Sequence, residues 1–262
     1  MIVDTHCHLD AAEFEAARAE VAAAAATAGV GVIVVPSVAC DNFSAVRALC
    51  GTTPGCAPAY GIHPLYVDRA QSADIDALRS QLQAEPAVAV GEIGLDYFVE
   101  GYDAERQAWF FVEQLKLAQE FELPVLLHIR RAADQVLKHL RRIRVNGGIA
   151  HAFNGSRQQA EAFIALGFKL GFGGAMTWPR STQIQALAAS LPIESIVLET
   201  DAPDIPPVWL GRSGRNAPSE LPGIAETLAA LRGIPLSEVI EKTTQNALQV
   251  MPKLAGYAHD LK

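Results

Sequence analysis

The strongest constraint on the fold is an alternation. Short β-rich runs and longer helical stretches take turns along the chain. Eight runs read as strands: Ile2–His6, Val32–Pro36, Ala57–Ile62, Ala87–Ile93, Pro124–His128, Gly148–His151, Phe168–Gly173 and Ser195–Thr200. They are nearly continuous apolar segments (VIVV, AVAV, PVLL, SIVLE), which suits parallel strands covered on both faces. Between them, Glu13–Ala28 is dense in alanine and stops at Gly29. Asp103–Phe121 sets Ala108, Phe111, Val112, Leu115 and Ala118 on one helical face. Ala132–Ile143, Ser156–Leu166 and Thr182–Leu191 behave likewise, and Leu221–Arg232 and Leu236–Leu248 add two helices after the last strand. Asp41, Asp74, Asp103 and Ser156 are the expected N-caps. Eight strand–helix units in 262 residues match the ~250-residue size of a (β/α)8 barrel. The predicted fold is α/β, a parallel eight-stranded TIM barrel with extra C-terminal helices, with 1–262 as one domain. A doubly wound open sheet is the alternative, but no GxGxxG follows the first strand.

The chain holds 29 Asp+Glu against 21 Lys+Arg, a formal net charge of −8. That balance disfavours a large basic surface that grips nucleic acid. Half the residues are hydrophobic, which excludes a disordered chain. No apolar run reaches the ~18–20 residues that span a bilayer. MIVDTHCHLD has no basic stretch leading into an apolar one, so no secretory signal is expected. The four cysteines (Cys7, Cys40, Cys50, Cys56) form no CxxC pair and read as reduced thiols of a cytoplasmic protein. Cys7 lies between His6 and His8. On a strand it faces away from both, as a small buried apolar residue.

The ionisable residues fall into a pattern on this strand map. His6 and His8 end strand one, Glu92 strand four, His128 strand five and His151 strand six. Asp201 follows strand eight. All lie at C-terminal strand ends, where barrels of this kind build active sites. Five of the seven histidines occupy such ends; His139 in a helix and His259 in the tail do not. Residues two apart on a strand share a face, so His6 and His8 can reach one metal. Imidazole with carboxylate suits zinc and other divalent first-row ions. Four His and two carboxylates exceed the ~3 protein ligands of a mononuclear catalytic zinc site, which points to two divalent ions with Glu92 between them. A lone HxH is weak, and a lone strand-end histidine is more often a hydrogen-bonded residue. A six-member set at consistent positions is another matter. Zinc, magnesium and manganese all remain open.

The motifs VDTHCHLD (Val3–Asp10), GIHP (Gly61–Pro64), GEIGLDY (Gly91–Tyr97), PVLLHIRRAAD (Pro124–Asp134) and LETDAP (Leu198–Pro203) occur in order. With them the chain resembles the TatD family of metal-dependent hydrolases, within the amidohydrolase-like barrel superfamily, from end to end. The resemblance implies a (β/α)8 barrel, a two-metal centre and deoxyribonuclease activity. It also implies His6, His8, Glu92, His128, His151 and Asp201 as metal ligands, the set that the strand ends give.

The expected reaction is phosphodiester hydrolysis at single-stranded DNA ends, exonucleolytic, by a water that two cations activate. Asp201 accepts its proton and Glu92 bridges the ions. His63, in GIHP, is assigned to the phosphate. Arg130 and Arg215 are candidate phosphate clamps; Arg130 lies two residues beyond His128, on its face if the strand continues. Tyr66, Tyr97, Phe98, Phe153 and Trp178 are candidate base-stacking groups, most of them expected to be ordinary loop packing. One rival function is cleavage of an amide, lactone or small phosphate ester on the same centre. The other is a non-catalytic metal-binding scaffold. DNA ends or another phosphoester are the expected partners, with no membrane. The oligomeric state is open, a monomer being compatible.

Overall fold

The computed structural model describes residues 1–258; His259 lies outside them. Eight strands run parallel in the order β1 to β8. They are β1 (Ile2–Asp4), β2 (Val30–Pro36), β3 (Cys56–Tyr60), β4 (Ala89–Asp96), β5 (Val125–Arg130), β6 (Gly148–Ala150), β7 (Phe168–Phe172) and β8 (Ile196–Leu198). Helices α1 (Arg18–Thr27), α2 (Phe43–Thr52), α3 (Asp74–Ala84), α4 (Ala104–Glu120), α5 (Ala133–Arg142), α6 (Arg157–Ala165) and α7 (Thr182–Ser190) connect them, and α8 (Leu221–Arg232) and α9 (Leu236–Val250) follow β8. The ends of β1 and β8 are tied by Thr5 N–H to Leu198 O at 3.1 Å, Asp201 N–H to His6 O at 2.8 Å and His8 N–H to Ala202 O at 2.8 Å. The fold is the TIM barrel expected of the alternation.

Two apolar clusters hold it. The larger packs the outer strand faces (Ile33, Val35, Val90, Ile93, Leu127, Leu170) against the helices. The smaller fills the lower lumen with Val3, Val32, Val34, Ala57, Ala59, Leu126, Ile149 and Val197. Ala247, Val250, Met251 and Leu254, from the end of α9 and the turn after it, close that lumen from below. The helix is stitched in place as well. Asn246 donates to Ile193 O and Ile196 O at 2.7 Å each. Thr244 Oγ1 donates to Met1 O at 3.2 Å.

Local chemistry sets the helix starts. Asp103 accepts from Arg106 N–H at 2.9 Å, and Ser156 and Gln159 form a reciprocal capping box. Two expected caps are corrected. Asp41 lies inside a short 3-10 helix, Cys40–Asn42. Asp74 is the first residue of α3 and accepts from Gln71 N–H. The stretch Glu13–Ala28 is also not one helix. It divides into a 3-10 turn (Ala12–Phe14) and α1. Arg18 reaches back to the carbonyls of Leu9, Asp10 and Ala11, which fixes the chain entering α1.

Two strand boundaries differ from expectation where it matters for the site. Strand β1 stops at Asp4, so His6 and His8 lie in the segment just beyond it. Strand β4 does not stop near Glu92 but runs to Asp96. Between Val90 and Ile93 it takes three steps where β5 takes two, from Val125 to Leu127. That extra residue is a bulge, and it changes which way the side chains face. Val90 packs outward. Without the bulge Glu92 would share its face; with it, Glu92 turns into the lumen.

Candidate metal centre

The upper lumen is as polar as the lower one is apolar. Glu92, 1% exposed, stands at its centre. Its Oε2 lies 3.2 Å from His6 Nε2 and 3.4 Å from His8 Nε2. Its Oε1 lies 2.9 Å from His151 Nε2, 3.0 Å from His128 Nδ1 and 3.4 Å from His63 Nε2. The Nε2 atoms of His6 and His8 are 3.3 Å apart. Asp201 Oδ1 sits beside them, 3.6 Å from His6 and 3.9 Å from His8. Cys7, between the two histidines, is fully buried, with its thiol 3.6 Å from Ala202 O and away from the cluster.

Regular strand geometry delivers most of these groups. Residues two apart share a face. Ala59 leads through Gly61 to His63, Leu126 to His128 and Arg130, Ile149 to His151, and Val197 through Glu199 to Asp201. Each series passes from the apolar floor to the polar centre in one or two steps. Asp201 has φ +56°, a left-handed conformation that aspartate tolerates better than most residues.

Three buried carboxylates that the sequence reading passed over border the cluster, two of them behind histidine rings. Asp96 accepts from His128 Nε2 at 2.9 Å and from Phe98 N–H at 2.8 Å. Glu199 Oε1 accepts from Ala152 N–H and lies 3.7 Å from His151 Nδ1. Gly171 leaves the room for it; a Cβ there would stand 2.1 Å from Glu199 Oε2. Asp4 accepts from Thr200 Oγ1 at 2.6 Å and from Thr200 N–H at 3.0 Å, which pins the β1 and β8 ends together. Carboxylates behind imidazoles hold the ring orientation and raise its basicity, as in metal sites. A carboxylate within the buried run Ala89–Asp96 was the available signal for Asp96, since burial demands a partner.

The electrostatics follow from this crowding. Burial would push the Glu92 carboxyl up, but His63, His6 and His151 together hold it well below the usual range. Burial, aided by repulsion from His151, lowers His6 to about 3. Burial also lowers His63 to about 4, against the pull of Glu92. For His8 burial is outweighed by its hydrogen bond to Glu92 and by that charge, and it rises to about 9. Burial raises Asp201 to about 6, although His151 and His8 pull it down.

These residues fit divalent cations. Donor atoms lie within 4.8 Å of one another in three overlapping groups: His6, Glu92 and His151; His6, His8 and Asp201; His63, Glu92 and His128. The rings of His6 and His151 stack at 4.0 Å with 13° between their planes. Their Nδ1 atoms and Glu199 Oε2 are buried without a hydrogen-bond partner. A carboxylate ringed by five imidazoles, with buried polar atoms left over, is the donor set of a cation site.

Above the cluster opens a cavity of about 1160 Å³, lined by His8, His63, Glu92, His128, His151 and Asp201. Arg130 lines it too, because β5 runs on to that residue. Arg215 is not among the lining residues. Its guanidinium donates to Glu13 O at 2.6 Å and lies over the Phe14 ring. Of the aromatics, Tyr66 and Phe98 line the cavity, and Tyr97 and Phe153 line a neighbouring one. Trp178 instead donates to Pro206 O at 2.9 Å.

A family model described as TatD related DNase matches residues 3–252. The chain is 41% identical over 248 residues to an uncharacterized metal-dependent hydrolase of Escherichia coli, YjjV, covering 93% of this chain and 95% of that one. It is 32% identical to the human deoxyribonuclease TATDN3, covering 97% of this chain and 95% of the relative. The crystal structure of E. coli YjjV, a TatD homologue, superposes with a TM-score of 0.92 at 39% identity, covering 96% and 98% of the two chains. A match across nearly the whole barrel, with both histidines of the first motif in place, shows that this chain belongs to the family of TatD-related DNases.

Proposed function

We propose that this metal-dependent hydrolase is a deoxyribonuclease that removes nucleotides from single-stranded DNA ends with two divalent cations. The observation that carries the reading is Glu92, whose two oxygens each face a separate set of imidazoles. His6, His8, Glu92, His128, His151 and Asp201 would hold the cations. Bound there, the cations would supply Lewis acidity for the phosphate and for the attacking water.

The chain supplies the rest. The Asp201 carboxylate, which cations bound beside it would keep ionised, takes the proton of the attacking water and returns it to the leaving oxygen. His63 Nδ1 accepts from Leu65 N–H at 3.1 Å, so its proton sits on Nε2, 3.4 Å from Glu92 Oε1 on the cavity wall, where a phosphate would be its second acceptor. Arg130 lines the cavity with no ion pair among the described residues, which favours it over Arg215 as the phosphate clamp. Asp96 and Glu199 position His128 and His151 from behind.

Unpaired arginines beside the centre favour a phosphodiester over an amide or lactone. The relative TATDN3 is itself named a deoxyribonuclease. No helix of the described residues is long and apolar enough to cross a membrane. The four free thiols support a cytoplasmic location. The barrel acts as one unit, and nothing in the reaction requires a second copy.

The test is incubation of metal-loaded protein with end-labelled single-stranded DNA and with a panel of amides, lactones and phosphate esters. DNA shortened from one end, with loss of cleavage in Glu92→Ala, is the expected result. Turnover confined to amides or lactones would sink the nuclease reading.

A further inference from the structure

Beside the main cavity, between the loops that follow β5 and β6, lies a second one of about 420 Å³. The two share Ile129, Arg131 and Asn154, so they are neighbouring parts of one depression. Tyr97 lines the smaller cavity and stacks on Tyr102 at 4.8 Å with 10° between the rings.

The way between the cavities is cationic. Arg130 and Arg131 are consecutive, and on an extended strand they would point to opposite faces. Arg131 has φ +55°. The left-handed turn brings both guanidinium groups onto one ring, with Arg130 Cζ 3.7 Å and Arg131 Cζ 4.6 Å from the Phe98 centroid. Phe98 is itself 44% exposed. Neither arginine makes an ion pair among the described residues. Two cations on an exposed ring, both without a counter-anion, are a place for phosphate.

The opposite wall has the opposite sign. In an eight-stranded barrel β5 stands across from β1. Over β1 and its neighbour β8 the main cavity is lined by Asp10, Glu13 and Asp204. Asp10 Oδ1 is buried without a hydrogen-bond partner. An acceptor-only wall repels phosphate and welcomes hydroxyl or amine donors.

We infer that the smaller cavity is a subsite for the second nucleotide of a single DNA strand. The chain enters it over Arg130 and Arg131 with its base against Tyr97, while the acidic wall receives an end that carries a hydroxyl and not a phosphate. The inference rests on the nuclease reading and adds to it a path for the strand, from the acidic wall across to the two arginines, and a preference for a hydroxyl at its terminus.

The probe is a set of phosphorothioate-linked single-stranded thymidine dimers and tetramers, bearing hydroxyl or phosphate at either end. Binding to the metal-loaded protein is read by fluorescence competition, independently of turnover. Tyr97→Ala is expected to weaken the dimer and the tetramer alike about tenfold through lost stacking, leave thymidine monophosphate, which cannot reach the second position, within about twofold, and be rescued by Tyr97→Phe. Arg131→Ala is expected to lower the salt dependence of tetramer binding by about one ion. A phosphate at one of the two ends is expected to weaken binding several-fold, and Asp10→Asn to narrow that difference. Equal binding of all four end types, or a tetramer indifferent to both Tyr97→Ala and Arg131→Ala, overturns the subsite while DNA cleavage by the wild type still supports the nuclease. Absence of both DNA cleavage and oligonucleotide binding overturns the nuclease reading and the subsite together.

Discussion

The lower and upper halves of the barrel lumen are built by the same strands and differ in almost everything else. Below, Val3, Val32, Val34, Ala57, Ala59, Leu126, Ile149 and Val197 pack dry against the end of α9. Two to four residues further along the same faces stand His63, His128, His151, Glu199 and Asp201. The lower half gains from burial, since its groups leave water at no electrostatic cost. The upper half holds a carboxylate and five imidazoles that depend on one another's charge. Stability and chemistry are thus separated by height within one cavity, and single substitutions should report on one without the other.

The largest effect is expected at the centre. Glu92→Gln keeps the shape but removes the charge that all five imidazoles face, and turnover should drop by about 10³-fold or more. Retained activity with full metal content would break the assignment of Glu92. Asp201→Asn should abolish turnover while keeping the fold, and near-normal rates would remove its proton-transfer role. At the floor, Met251→Ala should cost about 2–5 kcal/mol of stability by opening a cavity, read as a lower urea midpoint, with kcat/KM little changed. A Met251→Ala variant that loses activity in proportion would show that the halves are coupled.

Asp96→Asn sharpens the contrast. It leaves the floor intact and should weaken metal binding about 10- to 100-fold, measured by competition with a chelating dye. Metal loading should also depend on pH. Without a cation His8 is raised to about 9, so at neutral pH it holds a proton that an incoming metal must displace. Affinity should fall as pH falls, and calorimetry in buffers of different ionisation enthalpy should show proton release. Equal heats in all buffers would contradict it.

The smallest effect lies outside both halves. Burial, then Lys138 and Arg142, lower His139 below its ordinary value. The unfolded chain therefore binds this proton at a higher pH than the folded one, and stability falls as pH drops through the interval between the two values. His139→Gln should flatten the acid side of the stability profile, by denaturant melts, without touching catalysis.

Much of this was legible in the sequence. Continuous apolar runs gave parallel strands, and an α9 that closes the lumen appeared as a helix beyond the last strand. That His6, His8, Glu92, His128, His151 and Asp201 come together was legible because a strand map places them at one end. What escaped had physical reasons. The β4 bulge is a register effect between two strands, and no property of one strand alone reveals it. Asp96 and Glu199 look like strand or loop residues until their histidine partners are known. Arg215 sits in an irregular loop suited to substrate, yet the nearby carbonyl of Glu13 takes its guanidinium. The acidic net charge, for its part, says little about a site beside which two arginines without ion pairs among the described residues are gathered at one mouth.

The segment that stoppers the barrel lies after every strand and every residue of the candidate metal centre. A polypeptide ending before Leu236 would carry all eight strands and the full donor set, with a valine-lined shaft open to water at its base. The strand ends meet across about 190 residues, so the cylinder cannot be sealed piecemeal as it emerges. Such a fragment would be a candidate for aggregation or proteolysis more than a weakened enzyme. Loss of these residues would thus be felt first at the floor, the end of the barrel farthest from the candidate centre.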